Sequence, residues 1–446
     1  IDGLLSPDER QQNHEEIFST LMELPEATLS AQAESAITSD VRGWLSLAAM
    51  AKRYQNNPLE QLTQLSRWKQ LWSGHPAAAQ LPKSLQMLSQ VVAQRPKVIA
   101  LLLPLQGDLG PYGRAIRDGI LAAHYGVQGD TEIRVYDTTQ ADITQLLDQA
   151  RADGAELAIG PLARDKVTTL ARGGKLPIPV LALNRTLDGS INPDLYQFGL
   201  APEDEDDQVA DEVFREGKRN ALVIYPAGEW GTRNFDAFKQ RWTSLGGNII
   251  KATQYSVQRD YSDMIKDVLD VDQSEDRANQ LRRIIGQRFE FTPRRRQDID
   301  FVFLLANPVE ARKINPTLAF YYADDIPVYA TSHINEGDSS KINSIDLNGI
   351  RFCDLPWKLT NTGPLQQQVE QIWPAAKKSL AAFYALGIDA YHLYPRLQQI
   401  KEVPSDRLFG NTGILQLRSD NVVTRTLMWA RFTDGQAVSM PMIYGS

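Results

Sequence analysis

Six arginines, Arg282, Arg283, Arg288, Arg294, Arg295 and Arg296, crowd one short segment, interleaved with Phe289 and Phe291, beside Pro293 and just ahead of Asp298 and Asp300. Guanidinium groups grip carboxylates through paired hydrogen bonds, so such a cluster suits an acidic partner surface or glycan carboxylates. Pairing with the nearby acids on a solvated loop is the plainer reading of the same residues. A second candidate is Gly107-x-x-Gly110-x-x-Gly113, where glycines would let backbone N–H groups approach a ligand at a helix N-terminus. That spacing fits neither the dinucleotide nor the P-loop pattern, so no nucleotide and no other cofactor is expected, and a tight strand-to-helix turn explains it as well.

Covalent and metal chemistry find little support. There is no Gly-x-Ser-x-Gly, adjacency of Ser332 and His333 does not make a triad, and the single Cys353 has only Arg351 as a basic neighbour. His14, His75, His124, His333 and His392 are scattered without ligand spacing, so no metal site is expected. The acidic run Glu203 to Asp207 reads as the start of a helix, where negative charge offsets the macrodipole. No catalytic residue is assigned.

The elements that must position these groups follow from the rest of the chain. Its 446 residues carry a net charge of −8, with 42% hydrophobic and 23% charged residues, a globular composition at a length that implies more than one domain. Residues 1–95 hold 8 of the 47 basic and 10 of the 55 acidic residues, so both parts are mildly acidic and neither has the surplus a nucleic-acid binder needs. No apolar run is long enough to span a membrane. The chain begins at Ile1 with no signal segment and no early cysteine for lipidation, which reads as a processed form or a fragment.

Residues 1–95 show only helical periodicity. Val41, Trp44, Leu45, Ala48, Ala51 and Tyr54 follow Asp40 as N-cap, and Leu59, Leu62, Leu65, Trp68 and Trp72 form a second run, together an αα-hairpin of tetratricopeptide-like character that is expected to be truncated. From residue 97 the rhythm changes. The run Lys97–Pro104 predicts a strand buried on both faces, and strands near 132–136, 157–159 and 179–183 alternate with helices at 114–125, 143–153 and 164–172. A second α/β unit follows, with helices at 205–216, 232–245 and 309–320, further helices near 261–288, and strands at 221–225, 248–255, 299–305 and 327–330. The tail predicts a helix over 379–394 and a hairpin pairing 413–417 with 425–432.

The expected fold class is therefore α/β, a two-lobed molecule with doubly wound sheets over 96–446, preceded by the all-α region 1–95. The segments Leu103-Pro104-Leu105, Ile159-Gly160-Pro161-Leu162, Leu181-Ala182-Leu183-Asn184, Tyr196-x-Phe198-Gly199 and Val223-Ile224-Tyr225 resemble the type I periplasmic binding protein fold. That resemblance implies one lobe of about 97–200 and 356–408 and another of about 201–350 and 409–446. It also implies an alternative function, reception of an amino acid or sugar in a cleft lined by Gly107, Tyr112, Gly160, Asn184, Tyr225, Glu229 and Ser332. A wall hydrolase is a third, weaker alternative.

Two departures turn the reading elsewhere. The turn Gly160-Pro161-Leu162-Ala163 offers no hydroxyl to an amino acid, and a freely diffusing receptor has no need of a helical leader. The helical region joined to this fold, with Phe291-Thr292-Pro293-Arg294-Arg295-Arg296-Gln297-Asp298-Ile299-Asp300, resembles the LpoA family of outer-membrane lipoprotein activators. The resemblance implies a non-enzymatic regulator in the periplasm, held to the inner leaflet of the outer membrane by a lipid anchor absent from this chain. It would stimulate a class A penicillin-binding protein, with peptidoglycan as a further candidate partner. The arginine cluster is then the expected partner surface.

Overall fold

A computed structural model describes residues 5–127, 129–286, 290–335 and 345–441. Four helices open it: α1 Pro7–Met22, α2 Glu26–Ser35, α3 Ser39–Arg53 and α4 Pro58–Leu71. Thr38, not Asp40, caps α3 by accepting from the Val41 N–H, and Asn57 caps α4 ahead of a proline suited to the first helical turn. Trp44, Leu47, Ala48, Leu65 and Trp68 form the core of this region, whereas Val41 and Leu59 face solvent, contrary to the periodicity. His14 and His75 are buried there, their ring nitrogens on the Gln80 and Asp40 carbonyls, which makes them core histidines and not ligands.

The α/β part then runs β1 Val98–Leu103, α5 Gly110–Gly126, β2 Glu132–Asp137, α6 Ile143–Ala152, β3 Leu157–Ile159, α7 Arg164–Arg172, β4 Val180–Ala182 and β5 Leu195–Phe198. It continues with α8 Pro202–Arg215, β6 Asn220–Pro226, α9 Glu229–Ser244, β7 Asn248–Tyr255, α10 Ser262–Val268, α11 Val271–Ile285, β8 Phe301–Leu304, α12 Pro308–Phe320, β9 Val328–Ala330 and β10 Arg351–Asp354. Helices α13 Pro364–Ile372 and α14 Ala381–Leu393 lead to β11 Leu408–Phe409, β12 Ile414–Leu417, β13 Val422–Thr426, β14 Met428–Thr433 and β15 Gln436–Ser439.

These strands form two sheets, ordered β11-β12-β13-β5-β4-β3-β1-β2 and β15-β14-β10-β9-β8-β6-β7. The central strands of each are parallel, and antiparallel strands from the C-terminal tail extend one edge of each sheet. One buried apolar cluster joins the inner faces, from Ile99, Leu101 and Leu103 on β1 to Val223 on β6 and Phe301 and Phe303 on β8.

The tail departs from expectation. The predicted hairpin partner 425–432 is two strands: β13 pairs with β12 in the first sheet, and β14 pairs with β10 in the second. The turn lies at Asp420-Asn421, where Asn421 adopts a left-handed φ of 61° that asparagine tolerates. Residues 408–426 thus join the first sheet instead of the second lobe to which 409–446 was assigned, while β10 at 351–354 belongs to the second. The chain passes between sheets three times, after β5, after β10 and after β13. At the third passage Leu427 is held by the Gln208 side chain, which donates to the Leu427 carbonyl at 2.9 Å and accepts from its N–H at 2.8 Å.

The glycine spacing has a packing explanation. α5 begins at Gly110, not 114, and a Cβ on Gly113 would lie 1.9 Å from the Pro104 carbonyl oxygen. The second sheet repeats the device, with Gly231 equally close to the Pro226 carbonyl. In both, the helix after the first strand rests directly on backbone, which only glycine permits.

Candidate partner surface and interlobe cleft

The arginine segment divides in two. α11 ends at Gly286 in a left-handed conformation, and Arg282 and Arg283 occupy its last turn, where cations complement the helix dipole. Both are exposed, as is Arg294, whose backbone N–H donates to Ser274 Oγ. Beside them Leu281, Ile284 and Ile285 also face solvent, Ile284 at 80%. The Arg282 guanidinium lies 6.0 Å from the centre of the half-buried Phe291 ring.

Arg295 and Arg296 do something else. Arg295 is buried, makes paired hydrogen bonds to Asp325 at 2.6 and 2.7 Å, and donates to the carbonyls of Tyr322 and Arg296. Arg296 forks onto Asp298 through Nε at 2.7 Å and Nη2 at 2.8 Å and approaches Asp270 at 3.4 Å, and its hydrogen bond holds the Asp298 carboxyl below the usual range. These two pin the segment to the fold, so the expectation that they form the partner surface is corrected. Arg288 and Phe289 lie outside the described residues.

The seven cleft candidates do not converge. Gly160 has a φ of 109° and a backbone packed so closely that a Cβ would sit 2.0 Å from the Leu102 carbonyl oxygen. Asn184 donates to the Leu162 carbonyl at 3.0 Å, joining the loops after β3 and β4. Tyr225 is buried in a parallel stack on Phe235, Tyr112 packs on Phe383, and Ser332 donates through N and Oγ to the buried Glu205. Glu229 is exposed in the first turn of α9. Gly107 does line a cavity, of about 410 Å³, with Asp108, Thr138, Gln140 and Lys166, but every lining residue belongs to the first sheet's side, in the loops after β1, β2 and β3 or the first turn of α7. A ligand there would not touch the second lobe.

Acidic groups gather beneath the crossings. Asp354 is fully buried, accepts from Asn335 Nδ2 and the Leu355 N–H, and is pushed up to about 6 by burial, against the pull of Lys358. Burial, with neighbouring Asp354 and Glu205, also drives the Cys353 thiol up, which makes it unreactive. Asp206 is fully buried with no hydrogen-bond partner on either oxygen among the described residues, and burial followed by Glu205 raises its carboxyl well above the ordinary value. A carboxyl whose folded value is raised loses stability as pH climbs above the unfolded value of about 4. Asp206→Asn should therefore be more stable at neutral pH by about 1–3 kcal/mol, an advantage that shrinks to nothing near pH 4. Urea titrations at a series of pH values measure it; a constant offset across pH would contradict the assignment.

The helical region, the paired parallel-centred sheets and the three passages between them define a periplasmic-binding-protein-like molecule carrying a helical leader. A family model described as "LppC putative lipoprotein" matches residues 1–435, and the chain belongs to that family. It is 29% identical over 442 residues to the penicillin-binding protein activator LpoA of Photobacterium profundum, covering 97% of this chain and 72% of that protein. Full-length LpoA from Haemophilus influenzae superposes over 98% of this chain and 76% of its own with a TM-score of 0.63 at 26% identity. The C-domain of that protein, described as a regulator of PBP1A, matches 77% of this chain and all of its own, with a TM-score of 0.62. An ABC transporter substrate-binding protein from Sphaerobacter thermophilus shares the fold at 15% identity and a TM-score of 0.52.

Proposed function

We propose that this chain is an activator that binds and stimulates a class A penicillin-binding protein in peptidoglycan synthesis. The observation that carries the reading is similarity to named activators running through both the helical region and the two-sheet part, not the binding-protein fold alone. The chain acts as a regulator without a catalytic centre of its own, a reading supported by the description of a related C-domain as a regulator of PBP1A. It works in the periplasm, held to the inner leaflet of the outer membrane by an N-terminal lipid, a placement supported by the family's description as lipoproteins. Peptidoglycan itself is a secondary contact.

Within this reading the synthase docks on the face of α11, whose end presents Arg282 and Arg283 beside the exposed Leu281, Ile284 and Ile285 and whose start is joined to the exposed Arg294 through Ser274. Cations around an apolar centre fit an acidic-rimmed apolar patch on the partner.

The test compares residues 1–446 with 97–446 in a purified synthase assay. Both should raise turnover without any added small molecule, because docking lies in the two-sheet part. Stimulation lost entirely with residues 1–96 would overturn these roles.

A further inference from the structure

A large cavity lies away from the cleft, where the three parts of the molecule meet. Of about 920 Å³, it is walled by α8 with Arg351 and Trp429 of the second sheet, by β12 and β13 of the first, and by Glu23 and Arg407 at the junction with the helical region. Its lining is crowded with charge, and almost every charge is already matched. Asp204 pairs with Arg185, Asp211 with Arg241, Glu212 with Arg215, Glu216 with Arg351, Glu23 with Arg407, and Arg418 with Asp420.

Two groups in the lining are left over. Arg425 is only 5% exposed, yet Nε and both terminal nitrogens of its guanidinium have no hydrogen-bond partner among the described residues. Asp207, on α8, is exposed at the rim and makes no direct hydrogen bond or ion pair with the described residues, although Arg241 and Arg185 lie near enough to favour its charge. A buried guanidinium with five unused donors is costly, and such groups are normally matched. A ligand supplying one carboxylate and one ammonium would complete the accounting.

We propose that this cavity binds a short peptide with both ends free, its terminal carboxylate on Arg425 and its terminal ammonium on Asp207, with Leu427, Trp429 and Ile414 supplying apolar lining. The volume is in the range of small-molecule sites and exceeds the need of a single amino acid. Partial desolvation and the nearby Asp204 raise Asp207 to about 6 against the pull of Arg241 and Arg185, so it is largely ionised at neutral pH and an arriving cation would stabilise that charge. Since the walls come from all three parts, an occupant would bridge them. This site is independent of the docking surface on α11.

Isothermal titration of the full chain tests it with three unblocked tripeptides, trialanine, trilysine and triglutamate, and with the N-acetyl and C-amide forms of any that binds. At least one free peptide should saturate below about 5 mM, and blocking either end should weaken it by about tenfold or more. Arg425→Gln and Asp207→Asn should each have a similar effect, while Glu229→Gln in the opposite cleft leaves binding unchanged. Asp207 lies at the rim, so that variant keeps the test open should Arg425→Gln misfold. No binding by any of the three, or equal binding of the blocked forms, or full affinity in Asp207→Asn, would overturn the proposal.

Discussion

Asp389→Ala should cost about 3–5 kcal/mol of unfolding free energy, the largest loss expected from a single side chain here. Asp389 is buried on α14 and accepts four hydrogen bonds, from the backbone and side chain of Asn411 at 2.8 Å each and from the backbone and hydroxyl of Thr412 at 2.6 Å each. Removing the carboxylate leaves two backbone N–H groups without a partner in the loop that feeds β12. Asp389→Asn keeps one acceptor oxygen but turns an NH₂ toward donors, so it should recover only part of the loss. Burial raises the Asp389 carboxyl despite those donors. Denaturant unfolding of the three proteins decides the matter; an alanine variant within about 1 kcal/mol of wild type would mean that the loop rearranges to satisfy itself.

The second large effect concerns partner binding. Reversing Arg282, Arg283 and Arg294 together to glutamate should weaken synthase affinity by about tenfold or more at low salt, with the deficit narrowing as salt rises. Unfolding should be little changed, because all three lie on the surface. Arg295→Ala should behave oppositely, lowering stability by about 2–3 kcal/mol through loss of a charged, doubly hydrogen-bonded contact. Surface plasmon resonance alongside thermal melts separates the two classes. A triple variant that binds and stimulates normally would remove α11 from the docking surface.

Much of the architecture was legible because it rests on local signals. The run at β1, the bounds of α7 and β7, and the helices at α3 and α4 follow from apolar period and from turn residues at their ends. What escaped depends on partners distant in sequence. Asp298 stands beside Arg296, so that pair was open to inspection, but Arg295 is matched by Asp325 across a loop and a helix. Asp300, which also looked like a local counter-charge, instead accepts from the backbone of Arg219 and Asn220. The cleft residues were chosen for lying after strands, a rule that finds the right end of the sheet but not whether a side chain turns into the cleft or into the core. Arg425 could not have been singled out: a lone arginine in a strand looks ordinary until its neighbours are known to leave it unmatched.

The joint between the helical region and the first sheet has a mechanical consequence. Arg396 is buried there, giving hydrogen bonds to the Gln55 carbonyl, Gln61 and Gln399, while Gln55 exchanges hydrogen bonds with the backbone of Phe409. Lys52 lies 3.7 Å from the centre of the Phe409 ring and donates to the Met22 and Leu24 carbonyls. No slack linker separates the two parts. Tension on the N-terminal helices therefore loads β11 and its neighbours at once, and it reaches the second sheet through three single strands of chain and through the apolar cluster that the two sheets share. If the molecule is tethered at one end and docks at the other, those three strands are where a pull would change its shape first.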